Sequence, residues 1–129
     1  MAQTNNEVRD TLAKFLTAVE SLDIERIMPF FNEDAQMFSP MGTFPARLDG
    51  RANIGKQFGA ILEAVKTQGG GALKLEPHDI EVRALGADAA LITFHLKMPG
   101  PLHRRSFVMT RGTGGWRIAH IHASIASLA

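Results

Sequence analysis

The 129-residue chain contains no cysteine, which excludes disulfide bonds, thiolate catalysis and cysteine-ligated zinc. Charge of one sign is also scarce: the net charge is +1, and scattered basic residues form no platform for nucleic acid. No apolar run reaches membrane-spanning length, and the polar segment 1–10 lacks the apolar stretch of a secretion signal. A phosphate-binding glycine loop is missing too, because the glycines at 69–71 follow a predicted helix instead of opening one. We therefore expect a cytoplasmic protein without a cofactor that binds neither nucleic acid nor a membrane.

The composition that remains is that of a globular protein. Apolar residues make up 45% of the chain and charged residues 21%, which suits one core of moderate size. The sequence has no internal repeat and no low-complexity linker. The length therefore predicts a single domain over residues 1–129.

The first half of the chain has helical periodicity. Apolar residues recur at three- and four-residue steps over about 5–21, which predicts a long amphipathic helix. Asp23 is expected to cap a short second helix, and Pro29 is expected to end or kink it. A third helix is predicted over about 51–67, where apolar residues again follow the helical period.

The second half of the chain alternates with a period of two, which is typical of strands. An earlier short strand is predicted at 35–40, followed by a loop at 41–50 that is rich in turn residues. Hairpin-type breaks then separate four consecutive antiparallel strands, at about 72–85, 88–98, 103–112 and 116–126. Helices followed by a meander predict the α+β class, with the helices on one face of a curved sheet.

Several segments resemble a known family. DIERIMPFFNEDAQMFSPMGTF followed by DGRANIGKQF, GADAALITFHL, and FVMTRGTGGWRIAHIHAS resemble the SnoaL-like branch of the nuclear-transport-factor-2-like superfamily. The last two segments also resemble the association (hub) domain of calcium/calmodulin-dependent protein kinase II, whose terminal strand has the same Trp-x3-His-x-His-x-Ser spacing. The resemblance covers nearly the whole chain. It implies a cystatin-like fold, in which a cone-shaped antiparallel sheet packs on three N-terminal helices, and dimerisation through the sheet.

The resemblance also implies where catalytic residues would lie. The ketosteroid isomerases of this fold use a tyrosine, an aspartate and a protonated acid, and the matching positions here hold Phe15, Ser39 and Phe107. General base catalysis needs a group with a pKa near the working pH, so isomerase chemistry of that kind is not expected. The hub pocket is lined by arginines, whereas the aligned positions here are the uncharged Leu96, Phe107 and Ala123. We therefore expect an apolar pocket and assign no catalytic residue.

In both relatives the pocket-facing residues of the last strand align with Ala123 and Ile125. Because alternate side chains of a strand share a face, the resemblance implies that Ile121, Ala123 and Ile125 lie on the pocket side. With the same parity on the preceding strand, Arg105 faces inward and is the best candidate to hold an anion, unless it extends to water at the rim. The predicted lining residues are Phe15, Met37, Ser39, Phe44, Phe58, Phe94, Leu96, Arg105, Phe107, Ile121, Ala123 and Ile125. The phenylalanines among them also fit an ordinary hydrophobic core.

The opposite face of the last strand is predicted to carry Trp116, Ile118, His120, His122 and Ser124. Because aromatic residues are enriched at interfaces, we interpret this face as a homodimer interface. Two alternatives remain. The two imidazoles, roughly 6.5–7 Å apart by strand rise, are spaced to share a metal if a third ligand converged, although we assign no metal site. They also fit hydrogen-bonded histidines without chemistry.

The sequence therefore predicts a SnoaL-like domain that binds a small hydrophobic molecule and associates with itself as a homodimer or a larger assembly. One alternative is a SnoaL-like isomerase- or cyclase-type enzyme whose acid–base residue is not identified, for example Ser39 with a histidine partner. The other alternative is an oligomerisation module in which the pocket has no role.

Overall fold

The computed structural model describes residues 2–40, 47–67, 73–97 and 101–126. Within these ranges three helices and six strands follow one another along the chain. They are α1 Ala2–Glu20, α2 Ile24–Ile27, β1 Phe31–Phe38, β2 Leu48–Asp49, α3 Arg51–Thr67, β3 Pro77–Ala84, β4 Ala89–Leu96, β5 Leu102–Gly112 and β6 Gly115–Ala126. The α+β class predicted from the sequence is confirmed.

The helices follow the apolar patterns of the sequence. One stripe of α1 is buried, at Val8, Leu12, Phe15, Leu16 and Ala18. The carboxylate of Asp23 accepts a hydrogen bond from the backbone N–H of Glu25 at 3.0 Å, which caps α2. Pro29 lies in the 3-10 turn Met28–Phe30 that ends this short helix. No helix in the described part of the chain is long and apolar enough to cross a membrane.

The sheet has the strand order β2-β1-β6-β5-β4-β3. The four strands β3 to β6 form the predicted antiparallel meander. Strand β1 pairs in parallel with β6, so a strand from the first half of the chain lies beside the last one. Strand β1 begins at Phe31, earlier than predicted, and β2 falls inside the predicted loop. Residues 41–46 of that loop, including Phe44, lie outside the described residues.

A β-bulge in β6 reverses the alternation that the sequence predicts. Val108 pairs with His120, but the next residue of β5, Met109, pairs with Ile118, which leaves Ala119 as an extra residue. The side chains on the helix side of β6 are therefore Trp116 and Ile118 before the bulge, and Ile121 and Ala123 after it. The prediction that Trp116 and Ile118 lie on the outer face is wrong, because strict alternation does not continue across a bulge.

Trp116 connects the start of β6 to α1 through a hydrogen bond. Only 9% of this residue is exposed, and its indole Nε1–H donates to Oε1 of Glu7 at 2.9 Å. This hydrogen bond is the main reason that the pKa of Glu7 is lowered. The guanidinium carbon of Arg111 lies 5.6 Å from the centroid of the Trp116 ring, within the range of a cation–π contact. The tryptophan thus belongs to the contact between α1 and the sheet.

The bulge predicts a clear difference between two neighbouring residues. Ile118 is fully buried, so Ile118→Ala should lower the free energy of unfolding by about 2–5 kcal/mol. The control Arg117→Ala, at an exposed position next to it, should change the free energy of unfolding by less than about 0.5 kcal/mol. Urea denaturation of both variants measures this. Equal, small effects would show that Ile118 lies on the outer face and that the bulge is absent.

Candidate ligand-binding cavity

An apolar cavity of about 210 Å³ lies between the helices and the inner face of the sheet. Helices α1 and α3 form one wall, and strands β1, β4, β5 and β6 form the other. The lining residues are Phe15, Leu16, Val19, Met37, Ser39, Phe58, Ile61, Leu62, Val65, Leu73, Leu75, Phe94, Leu96, Arg105, Phe107, Ile121 and Ala123.

The register of the sheet places the inward side chains in rows across the strands. Phe107 of β5 pairs with Ile92 of β4 and with Ile121 of β6. One row further along, Arg105 pairs with Phe94 and with Ala123. Because paired residues of neighbouring strands point to the same face, each row presents a continuous set of side chains to the cavity.

Phenylalanine rings form an aromatic part of the cavity wall. The ring of Phe15 packs edge to face on Phe30, Phe31 and Phe107, with centroid distances of 5.6, 5.6 and 5.7 Å. Phe94 meets Phe107 in the same manner at 5.2 Å. Edge-to-face contacts restrain both partners, so this aromatic part of the wall is fixed.

Most of the predicted lining residues lie on the wall of this cavity, namely Phe15, Met37, Ser39, Phe58, Phe94, Leu96, Arg105, Phe107, Ile121 and Ala123. Ile125 is an exception: it is 38% exposed near the end of β6 and does not line the cavity, so its assignment to the lining was wrong. The sequence reasoning missed residues of two helices and of the segment before β3, namely Leu16, Val19, Ile61, Leu62, Val65, Leu73 and Leu75. The apolar stripes of α1 and α3 were the signal for most of them.

Polar side chains are rare on this wall. Among the described lining residues, only Ser39 and Arg105 are polar, and none is an aspartate, glutamate or histidine. Two of the three positions matching the isomerase residues, Phe15 and Phe107, carry phenyl rings here. The third, Ser39, carries a hydroxyl, which is not itself a base near neutral pH. The described lining residues therefore include no carboxylate and no imidazole.

Arg105 is the one cation among the described residues that line the cavity. Its side chain is half-buried, and burial lowers the pKa of its guanidinium. Nη1 donates to the backbone oxygen of Arg104 at 3.1 Å, and the side chain forms no ion pair with any described residue. A guanidinium has five N–H donors, so this contact leaves hydrogen-bonding capacity for a ligand.

His103 is a buried histidine that the sequence reasoning did not assign to the site. It is 7% exposed and lies two residues before Arg105 on the same face of β5, opposite Leu96 of β4. Its Nδ1 is buried without a hydrogen-bond partner among the described residues. Burial lowers the pKa of His103, and the charge of Arg105 lowers it further. The alternation that turns Arg105 and Phe107 inward was the signal that identifies His103.

The His-x-His pair lies on the outer face of the sheet. The ring of Phe38, on β1, is 5.8 Å from the ring of His120 and 5.4 Å from that of His122, and Phe38 is 39% exposed. Ser124 lies on the same face, where its hydroxyl accepts a hydrogen bond from Arg104 at 3.1 Å. Partial burial lowers the pKa of His120, followed by the charges of His122 and Arg47. No three potential ligands among the described residues are grouped to hold a metal.

The model of the SnoaL-like domain matches residues 8–127. The chain belongs to the SnoaL-like domain family. No curated protein matches the sequence significantly.

Several solved structures share this fold. An NTF2-like protein of unknown function from Pseudomonas putida superposes with a TM-score of 0.83 at 20% identity, covering 96% of this chain and 87% of the other. A ketosteroid isomerase-like protein from Erwinia carotovora atroseptica gives 0.75 at 16% identity, covering 95% of both chains. A protein from Thiobacillus denitrificans, provisionally assigned as a calcium/calmodulin-dependent protein kinase type II association domain, gives 0.75 at 20% identity, covering 91% and 93%. At these identities the similarity establishes the fold alone.

The lowered pKa values predict how stability depends on pH. Folding favours neutral His103 and neutral His120, so their contribution is present above the ordinary histidine pKa of about 6.5 and is lost as pH falls through the folded-state values. The free energy of unfolding should therefore fall between about pH 7.5 and about pH 5.5. Urea denaturation across this range checks it, with His103→Leu as the variant of reduced slope. A slope that is unchanged in His103→Leu would contradict the buried placement of this residue.

Proposed function

We propose that this SnoaL-like domain binds a small hydrophobic molecule in the cavity between its helices and its sheet. The observation that carries the proposal is the composition of the wall, whose described residues are apolar except for Ser39 and Arg105. Apolar wall surface in contact with water is unfavourable, and a ligand that removes it from water gains about 25 cal/mol per Å². Ligand sites in proteins are typically concave and apolar with a few placed polar groups.

The same wall argues against the isomerase activity that one structural relative has in its printed name. Proton transfer next to a carbonyl needs a base and an oxyanion donor in contact with the substrate. The corresponding positions of this cavity are Phe15, Ser39 and Phe107, and none of them supplies a titrating group near neutral pH. These residues therefore suit the binding of a ligand through apolar contacts and a complementary shape.

Filling the cavity tests the proposal. Ala123 lines it and is nearly buried, so Ala123→Phe should place a phenyl ring in the ligand volume. We expect wild-type protein to bind neutral monocyclic probes such as benzyl alcohol and cyclohexanol, and Ala123→Phe to bind them at least about tenfold more weakly. Ligand-observed NMR titrations measure both.

The matched control is Ala64→Phe, which adds the same ring at an exposed position of α3 and should leave binding unchanged. Folding of each variant is checked by circular dichroism. Wild-type protein that binds none of the probes, or an Ala123→Phe variant that binds them as well as wild type does, would refute the proposal.

We further propose that the domain forms a homodimer through the outer face of β1 and β6. The supporting observation is the contact of the half-exposed Phe38 ring with His120 and His122. An exposed aromatic ring beside two imidazoles has the composition of an interface more than of a solvated sheet. The relative assigned as an association domain has, by its printed name, a role in assembly, which fits this use of the fold.

Two charge substitutions test the dimer. Phe38→Glu should give a monomer, because a carboxylate buried at an interface without a partner is strongly unfavourable. Leu85→Glu introduces the same charge at a 51% exposed position after β3, away from the proposed face, and should remain dimeric. Size-exclusion chromatography with light scattering measures the mass. A wild-type monomer, or a dimer that survives Phe38→Glu, would refute the proposed interface.

A further inference from the structure

The inner face of β5 carries an unmatched polar pair at the edge of the apolar cavity. Arg105 lines the cavity, and His103 lies two residues before it on the same face of β5, about 6.5–7 Å away by the rise of the strand and next to the lining residue Leu96. Around them the wall is apolar, with Phe94 and Ala123 on either side of Arg105, and Leu96 opposite His103. Arg105 and His103 are thus the polar side chains on the part of β5 nearest to a ligand in the cavity.

Among the described residues, Arg105 has no counter-ion and Nδ1 of His103 has no hydrogen-bond partner. A half-buried guanidinium without a counter-ion has lost hydration that no described carboxylate replaces. A buried imidazole nitrogen without a hydrogen-bond partner is also unfavourable, and His103 Nδ1 is such an atom among the described residues. One group that accepts hydrogen bonds and carries negative charge would satisfy both at once.

We propose that the Arg105–His103 pair binds the carboxylate of a small, monocyclic carboxylic acid whose apolar ring occupies the cavity. This inference rests on the proposed ligand-binding function and names the class of the ligand. A carboxylate matches the planar fork of a guanidinium and accepts two parallel hydrogen bonds from it. Its other lone pairs are available to an Nδ1–H of neutral His103.

The size of the cavity limits the apolar part of the ligand. About 210 Å³ is below the usual range of roughly 300–1,000 Å³ for small-molecule sites. A ligand with a single ring fits this volume, and a large skeleton of several fused rings exceeds it. Phe107 lies two residues after Arg105 on β5, so a ring packed on Phe15 and Phe107 leaves its carboxylate in position to reach along β5 to Arg105.

The experiment compares each acid with its neutral primary amide: benzoate with benzamide, and cyclohexanecarboxylate with cyclohexanecarboxamide. Affinities are measured by isothermal titration calorimetry near neutral pH at fixed ionic strength. Wild-type protein should bind each carboxylate at least about tenfold more tightly than its amide, which is the size expected for charge-assisted hydrogen bonds.

The variants assign this preference to the pair. Arg105→Met keeps an apolar stem but removes the charge, so it should lose the preference and still bind the amides. Arg105→Lys should keep part of the preference for the carboxylate, because an ammonium group keeps the charge but cannot form the two parallel hydrogen bonds of a guanidinium. The matched control is Arg104→Met, on the exposed outer face one residue earlier, and it should retain the full preference.

The histidine gives a second readout that a purely structural role would not change. Binding of benzoate should raise the pKa of His103 in NMR titrations, because a nearby negative charge favours the imidazolium, and benzamide should not. Amides that bind as tightly as the acids, or a preference that survives Arg105→Met, would overturn this inference and leave the proposed function in place. Wild-type protein that binds neither acids nor amides would overturn both.

Discussion

The bulge at Ala119 in β6 decides what each face of the sheet can do. Before it, Trp116 and Ile118 close the core against α1, and after it Ile121 and Ala123 line the cavity. Without the extra residue, one of these two sets would point to the outer face, because a register shift of one residue inverts every side chain. Because of the bulge, one strand contributes side chains to the core at one end and lines the cavity at the other. It also keeps both rings of the His-x-His pair outside.

The chamber exists because its aromatic wall is held rigidly from several elements. Phe15 of α1 contacts Phe30, Phe31 and Phe107, so helix, turn and sheet meet at one ring. Close-packed interiors change little in response to small forces, and this cluster prevents the helices from collapsing into the space beside it. Small Ala123 on the opposite wall then leaves volume instead of filling it. The cavity is therefore a consequence of where large and small side chains fall along the strands.

Local patterns in the sequence predicted the helices and the meander, because each depends on neighbouring residues. The bounds of α3 and the cap of α2 at Asp23 followed from such patterns. The parallel pairing of β1 with β6 depends on residues far apart in the chain, so no local pattern predicted it. The bulge had no signal in the alternation, so Trp116 and Ile118 were placed on the wrong face. The two-residue strand β2 is too short to have a period at all.

The positions of the titratable side chains say more about the function of this domain than its fold does, because the same fold is used for many functions. The pair of histidines that looked most suited to chemistry lies outside with Phe38, whereas the described cavity wall has no carboxylate or imidazole. The polar groups nearest to the apolar chamber are a guanidinium, which does not titrate near neutral pH, and His103, whose pKa is lowered by burial and by that guanidinium. A guanidinium beside the N–H of a neutral imidazole matches the charge and the hydrogen-bonding groups of a carboxylate. Such a site selects what binds, and this is the physical reason to regard the chamber as a receptor for a small acid.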